Sequence, residues 1–118
     1  MSTFPVTRIY SDAAGESHFE DIRIPISDAG GIGLLSGTVG ATGVIFREVP
    51  ADYDYSFHNA PQRQYIALLD GGIEIETSLG EKRKFQSGEV LLVEDVSGKG
   101  HRSRNLEAAP RRSLFITI

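Results

Sequence analysis

Cysteine is absent from this chain. That excludes disulfides, iron–sulfur clusters and thiolate metal sites, so any bound metal would rest on imidazole, carboxylate or amide. Helical periodicity is absent as well. Thirteen glycines and five prolines cut the 118 residues into short runs. None keeps apolar residues at three- and four-residue spacing long enough to make a helix. No apolar run is long enough to cross a bilayer. Basic residues are not in excess: twelve Lys and Arg face sixteen Asp and Glu, for a net charge of −4. That balance argues against nucleic acid as the main partner. Met1-Ser2-Thr3-Phe4-Pro5 has no basic stretch leading into an apolar one. No secretory signal is therefore expected, and the cytoplasm is the expected compartment.

What is present reads as β-structure. Phe19 to Ile26 alternates, with Ile22, Ile24 and Ile26 on one face. It predicts a half-buried strand, and Pro25 suggests an edge or a strand end. Further strands are expected over 44–49, 64–69, 73–77, 82–85, 90–93, 101–105 and 113–118. Asp70-Gly71-Gly72 reads as a hairpin turn, and Asp52 to Tyr55 as a connection. Residues 30–43 are glycine-rich, but no helix follows to present amides to a phosphate, so a loop and a strand start explain them. No linker or repeat divides the chain. A single all-β domain over 1–118, a sandwich or barrel, is expected, with N-terminal strands over about 1–50 and the core strands over about 51–118. A chain of this length buries enough apolar surface to fold without a staple.

Strand parity then says which side chains share a cavity, because successive residues face opposite ways. Extended from His58 to Leu68, the chain puts His58, Ala60, Gln62, Gln64 and Ile66 on one face, with Tyr65 on the other. On the later strand His101, Ser103 and Asn105 share a face, opposite Arg102 and Arg104. Polar groups converging inside an apolar barrel are the usual form of a small-molecule site.

At these residues the sequence resembles the cupin superfamily, whose first motif runs G-x5-H-x-H-x3-4-E-x6-G and whose second runs G-x5-P-x-G-x2-H-x3-N. His58, Ala60, Gln64 and Gly71 fall at the spacing of the first. Gly88, His101 and Asn105 fall on the second, with two extra residues between its Gly and its His. The resemblance covers residues 44–118. Leu91 to His101 also looks like the matching stretch of small single-domain bacterial cupins of unassigned function. The resemblance implies a double-stranded β-helix, or jelly-roll, barrel.

It also implies a metal site, and here the sequence departs. Ala60 stands where metal-binding cupins have their second His, and Gln64 where they have Glu. His58, His101 and the neutral amide of Gln64 remain as donors for a divalent Zn, Ni, Fe or Mn. They predict a degenerate, weak site unless Glu94, Asp95 or His18 reaches in.

The expected function is therefore binding of a small polar or anionic molecule, with His58, Gln62, Gln64, His101 and Ser103 as contacts. The alternative is an enzyme. It would be a metal-free isomerase or epimerase with His58 or His101 as base and Tyr55 or Tyr65 as acid, or a weakly metal-dependent oxygenase or isomerase. No Asp is clearly placed to orient the base. His18, alone near a strand start, reads as structural. Lys82-Arg83-Lys84 reads as a solvated edge. Arg102, Arg104, Arg111 and Arg112 read as a surface stripe, with anion binding the weaker alternative because parity turns Arg102 and Arg104 away from His101. A homodimer is expected, paired through Phe19 to Ile26, which has few sequence-local partners.

Overall fold

The computed structural model describes residues 2–118; Met1, the first residue of the segment read for a signal, lies outside them. The elements are β1 (Ser2–Ser11), β2 (Ser17–Asp28), β3 (Leu34–Leu35), β4 (Gly43–Val49), β5 (Asp54–His58), β6 (Gln64–Leu68), β7 (Ile73–Thr77), β8 (Lys82–Phe85), β9 (Val90–Val93), β10 (His101–Asn105) and β11 (Arg111–Thr117). A single 3₁₀ turn, Gly30–Ile32, interrupts them. Among the described residues no helix is long and apolar enough to cross a membrane.

The strands form two sheets. A seven-stranded sheet has the order β3-β2-β1-β9-β6-β11-β4, and a four-stranded sheet the order β5-β10-β7-β8. Between them Ile9, Ala60, Leu68, Ile73, Ile75, Phe85, Leu91 and Val93 form the core, with Phe19 and Ile66 packed against it. These residues alternate with outward ones along β1, β6, β7 and β9. One face of each sheet is thus apolar, and the two faces must cover one another.

Three sequence expectations change. First, β1 is a ten-residue strand that the pattern reading passed over. It pairs with β2 along its whole length, from Ser2 opposite Ile26 to Ser11 opposite Ser17. Phe19 to Ile26 therefore has a sequence-local partner after all. Second, Asp70-Gly71-Gly72 is not a hairpin turn. It carries the chain from β6 in the large sheet to β7 in the small one. Gly71, at φ 66°, reverses the chain as expected; a turn signature reports reversal, not which strands pair. Gln86 to Gly88 crosses back in the same way, whereas β7 and β8 do form a hairpin. Third, Asp52 to Tyr55 is only partly connection, since β5 begins at Asp54.

The edge reading of Lys82-Arg83-Lys84 matches the fold. β8 is the last strand of the small sheet, and Arg83 lies over the Phe19 ring while bonding Asp21 at 2.9 Å.

Candidate ligand-binding cavity

A cavity of about 360 Å³ lies between the sheets. Its apolar lining is Ile66, Leu68, Ile73, Ile75, Leu91, Val93 and Phe115. Its polar lining is His58, Gln64, His101, Ser103, Tyr53, Tyr55, Arg47 and Arg111.

The two histidines meet because β5 ends where β10 begins. His58 and His101 are partners in the ladder, and their ring centroids stand 4.6 Å apart. Gly100 permits this approach. Its φ is 73°, and a Cβ there would collide with the backbone carbonyl of His58. Any other residue would push the strand ends apart.

The rings are held differently. His58 Nδ1 lies 2.8 Å from the Ser56 carbonyl, and the ring stacks on Tyr55 at 3.9 Å. Partial burial holds the His58 imidazole below its ordinary pKa. The charges of His101 and Arg47 act in the same direction, against the Ser56 carbonyl and Asp95. His101 Nδ1 lies 2.5 Å from Oδ2 of Asp95; the imidazole is 7% exposed and the carboxylate 0%. A carboxylate only accepts, so Nδ1 donates and Nε2 is the nitrogen left for the cavity. An orienting Asp was not expected, yet Asp95 takes that position. Its backbone carbonyl also accepts from the amide of Ala60 at 3.1 Å, which ties the two half-motifs together. No periodicity announces this contact, because the loop 94–100 must fold back to make it.

The other polar cluster centres on Arg111. Its expected place in a surface stripe is wrong: it is 2% exposed, because neighbours on a strand alternate and it is Arg112 that turns outward to Asp70. Arg111 Nε donates to Oδ1 of Asn105 at 3.0 Å. Among the described residues its two terminal nitrogens, Nη1 and Nη2, have no partner. Burial, then the charge of Arg47, holds this guanidinium below its ordinary pKa. Arg47 lies over the rings of Tyr53 at 5.0 Å and Phe115 at 4.9 Å. Tyr53 Oη in turn bonds Ser103 Oγ at 2.9 Å. Ser113, two residues beyond Arg111, is buried as well, so this parity of β11 faces inward.

Of the expected contacts, His58, Gln64, His101 and Ser103 line the cavity, and Gln64 is buried with Oε1 unpartnered. Gln62 does not: it is exposed in the connection between β5 and β6, where the chain is not extended and parity lapses. Tyr65 faces the outer groove beside Ile116, which removes it as an acid for this cavity; Tyr55 does line it. Asn105 holds the Pro50 and Ala109 carbonyls at 3.0 and 3.2 Å besides Arg111. His18 bonds Asp12. Glu94 bonds Arg8 at 2.6 Å and Arg63 at 2.5 Å. Neither reaches the histidine pair, and Asp95 spends its one bonded oxygen on His101.

The donors His58, His101 and Gln64 do not fit a resident transition metal. Among the described residues no group of three or more His, Cys, Asp or Glu could hold an ion, and such metals ordinarily take three or four ligands, mostly imidazole or anionic. Arg47 and Arg111 in the same lining add positive charge, which a dication would have to oppose.

The sequence matches no family model, and no curated protein matches it significantly. Solved structures resemble it in shape. The Cnp3 cupin domain of Schizosaccharomyces pombe is 12% identical, covering 100% of this chain and 86% of that one, with a TM-score of 0.48. Protein NMB1881 of Neisseria meningitidis is 15% identical over 64% of this chain and 71% of its own, at 0.46. A putative ethanolamine utilization protein of Salmonella typhimurium is 12% identical over 99% and 97%, at 0.40. Such identities bear on shape and not on chemistry. By its strand order the chain is a small all-β protein of two facing sheets.

Proposed function

We propose that the cavity binds a small organic molecule directly, through side-chain hydrogen bonds and charge, with no resident metal. One observation carries this reading: His58, Gln64, His101 and Ser103 converge on a hollow of about 360 Å³ whose other walls are largely apolar. That size is within the ordinary range of ligand pockets, on the order of 300–1,000 Å³. The test is protein purified without a nickel column, analysed by native mass spectrometry and for metal content. An organic molecule carried by wild type and lost in His101→Ala supports the reading. Stoichiometric zinc, iron, nickel or manganese bound by wild type overturns it.

The Asp95–His101 pair favours a second reading, a metal-free isomerase or epimerase. Asp95 would orient the ring, Nε2 would take a proton from a carbon acid, and Tyr55, stacked on His58, would return one. Such an enzyme would exchange a carbon-bound hydrogen of its ligand with deuterated solvent, and Asp95→Asn would slow that exchange. A ligand that keeps all its carbon-bound hydrogens would remove this alternative.

We also propose a homodimer. Residues 27–46 are all exposed, and Phe46 reaches 83%. The stretch from Ala29 to Phe46 has no charged residue, yet it includes Ile32, Leu34, Leu35 and Val39. A fixed path with no buried side chain does not offset its own ordering entropy, and an uncharged arm suits an equally uncharged surface. The second copy supplies one, since the outer face of the large sheet presents Phe4, Ile24, Ile26, Tyr65 and Ile116 beside this arm.

A further inference from the structure

We propose that the ligand carries a carboxylate, and that Arg111 with Arg47 receives it; this rests on the reading of the cavity as a binding site. Arg111 is 2% exposed and lines the cavity, and both its terminal nitrogens are unpartnered among the described residues. It makes no ion pair with any carboxylate within 4 Å among the described residues, unlike Arg112, which has Asp70. A buried cation without a counter-charge is costly. The fold nevertheless holds this one in place, with Asn105 bonding Nε and so fixing the plane of the guanidinium. Asn105 is thus a positioning residue. It leaves free the edge of the guanidinium that matches a carboxylate in two parallel bonds.

Arg47 adds a second positive charge to the same lining while its guanidinium packs on Tyr53 and Phe115. Two guanidiniums can receive a carboxylate or a phosphate alike. The apolar walls of Ile66, Leu68, Ile75 and Phe115 favour the carboxylate, because a monoanion costs less to bury than a dianion.

β10 sets the distance to the other polar end. His101, Ser103 and Asn105 share one face of that strand. At roughly 3.3 Å per residue, the backbones of His101 and of Asn105, which bonds Arg111, are about 13 Å apart along it. Between them lie Ile66, Leu68, Ile75 and Phe115. The ligand is then a short acid with an apolar body and a polar group at its far end.

The experiment uses the intact chain with three probes: hexanoate, 1-hexanol and inorganic phosphate. Binding is read by calorimetry and by thermal stability. Wild type is expected to bind hexanoate at least tenfold more tightly than hexanol, and to bind phosphate weakly. Arg111→Met removes the charge at similar volume. It should abolish the preference for hexanoate, leave hexanol binding nearly unchanged, and melt no lower than wild type without ligand. Arg112→Met, which alters only a surface pair, should keep the preference. Hexanol binding as tightly as hexanoate would overturn the carboxylate while leaving a ligand cavity in place. Phosphate bound most tightly would overturn it in favour of another anion. Arg111→Met that melts well below wild type with its hexanoate preference intact would make Arg111 structural. If neither organic probe binds and no organic molecule copurifies, this inference and the reading beneath it both fall.

Discussion

Two residues that never touch a ligand decide whether the histidines form a site. Gly100 lets the ends of β5 and β10 approach, at a positive φ and with no room for a Cβ. Gly100→Ala should cost about 2–3 kcal/mol from left-handed strain and the backbone collision, read as a lower urea midpoint. Equal stability would show that the strand ends can separate without penalty. Asp95 is the other. Removing its partner in His101→Ala strands a fully buried carboxylate, and breaking such a pair costs about 3 kcal/mol. His58→Ala strands nothing charged and should cost less. Adding Asp95→Asn to His101→Ala should recover part of the loss in chemical denaturation, and a strictly additive double variant would contradict the pairing. At this scale the sequence was informative about which residue types converge: His58, Gln64, His101 and Ser103 were named from spacing and parity. It named Asp95 only as a ligand that could reach in, without its hold on His101, and misplaced Arg111, because both depend on how a loop or a strand start folds against distant neighbours.

At the scale of elements, Glu94 ties three segments: β1 through Arg8, the end of β9, and the connection bearing Arg63. Burial raises its pKa, but the two arginines outweigh that and hold it below the ordinary carboxylate value. A depressed folded pKa means that the unfolded chain binds the proton more readily. The pair therefore stabilises fully above the unfolded value, about 4.3, and its contribution is lost as pH falls through the folded one. Glu94→Gln should be less stable than wild type by about 1–2 kcal/mol at pH 7. The gap should begin to narrow below the unfolded value and close as pH falls through the lowered folded one, and a gap that does not change across the acid range would deny the charge-based account. Individual strands were largely legible, since alternation is a local property; β7, β8 and β9 fall where the pattern put them. Pairing was less so. The Asp70-Gly71-Gly72 turn looks the same whether it closes a hairpin or crosses between sheets, and the apolar faces of the two sheets make the choice.

For the whole molecule, the exposed arm of residues 27–46 is the feature an isolated chain explains least. The proposed dimer should sediment as a single species of twice the 12.9 kDa chain mass at micromolar concentration. Phe46→Asp together with Leu34→Asp should shift it to monomer with the cavity still formed, so probe binding would survive. A wild-type monomer at that concentration would leave the arm without its partner.

Composition and alternation were enough to determine an all-β chain without thiol chemistry. These are local properties, written in strand period and in the residues that can turn a chain; that His58 and His101 meet was implied only by the resemblance of their half-motifs. Tertiary structure alone decided that Arg111 lies inside, that Asp95 holds His101, and that β6 and β7 belong to different sheets. Each of these follows from which surfaces cover one another once two sheets close, and no single segment contains that information.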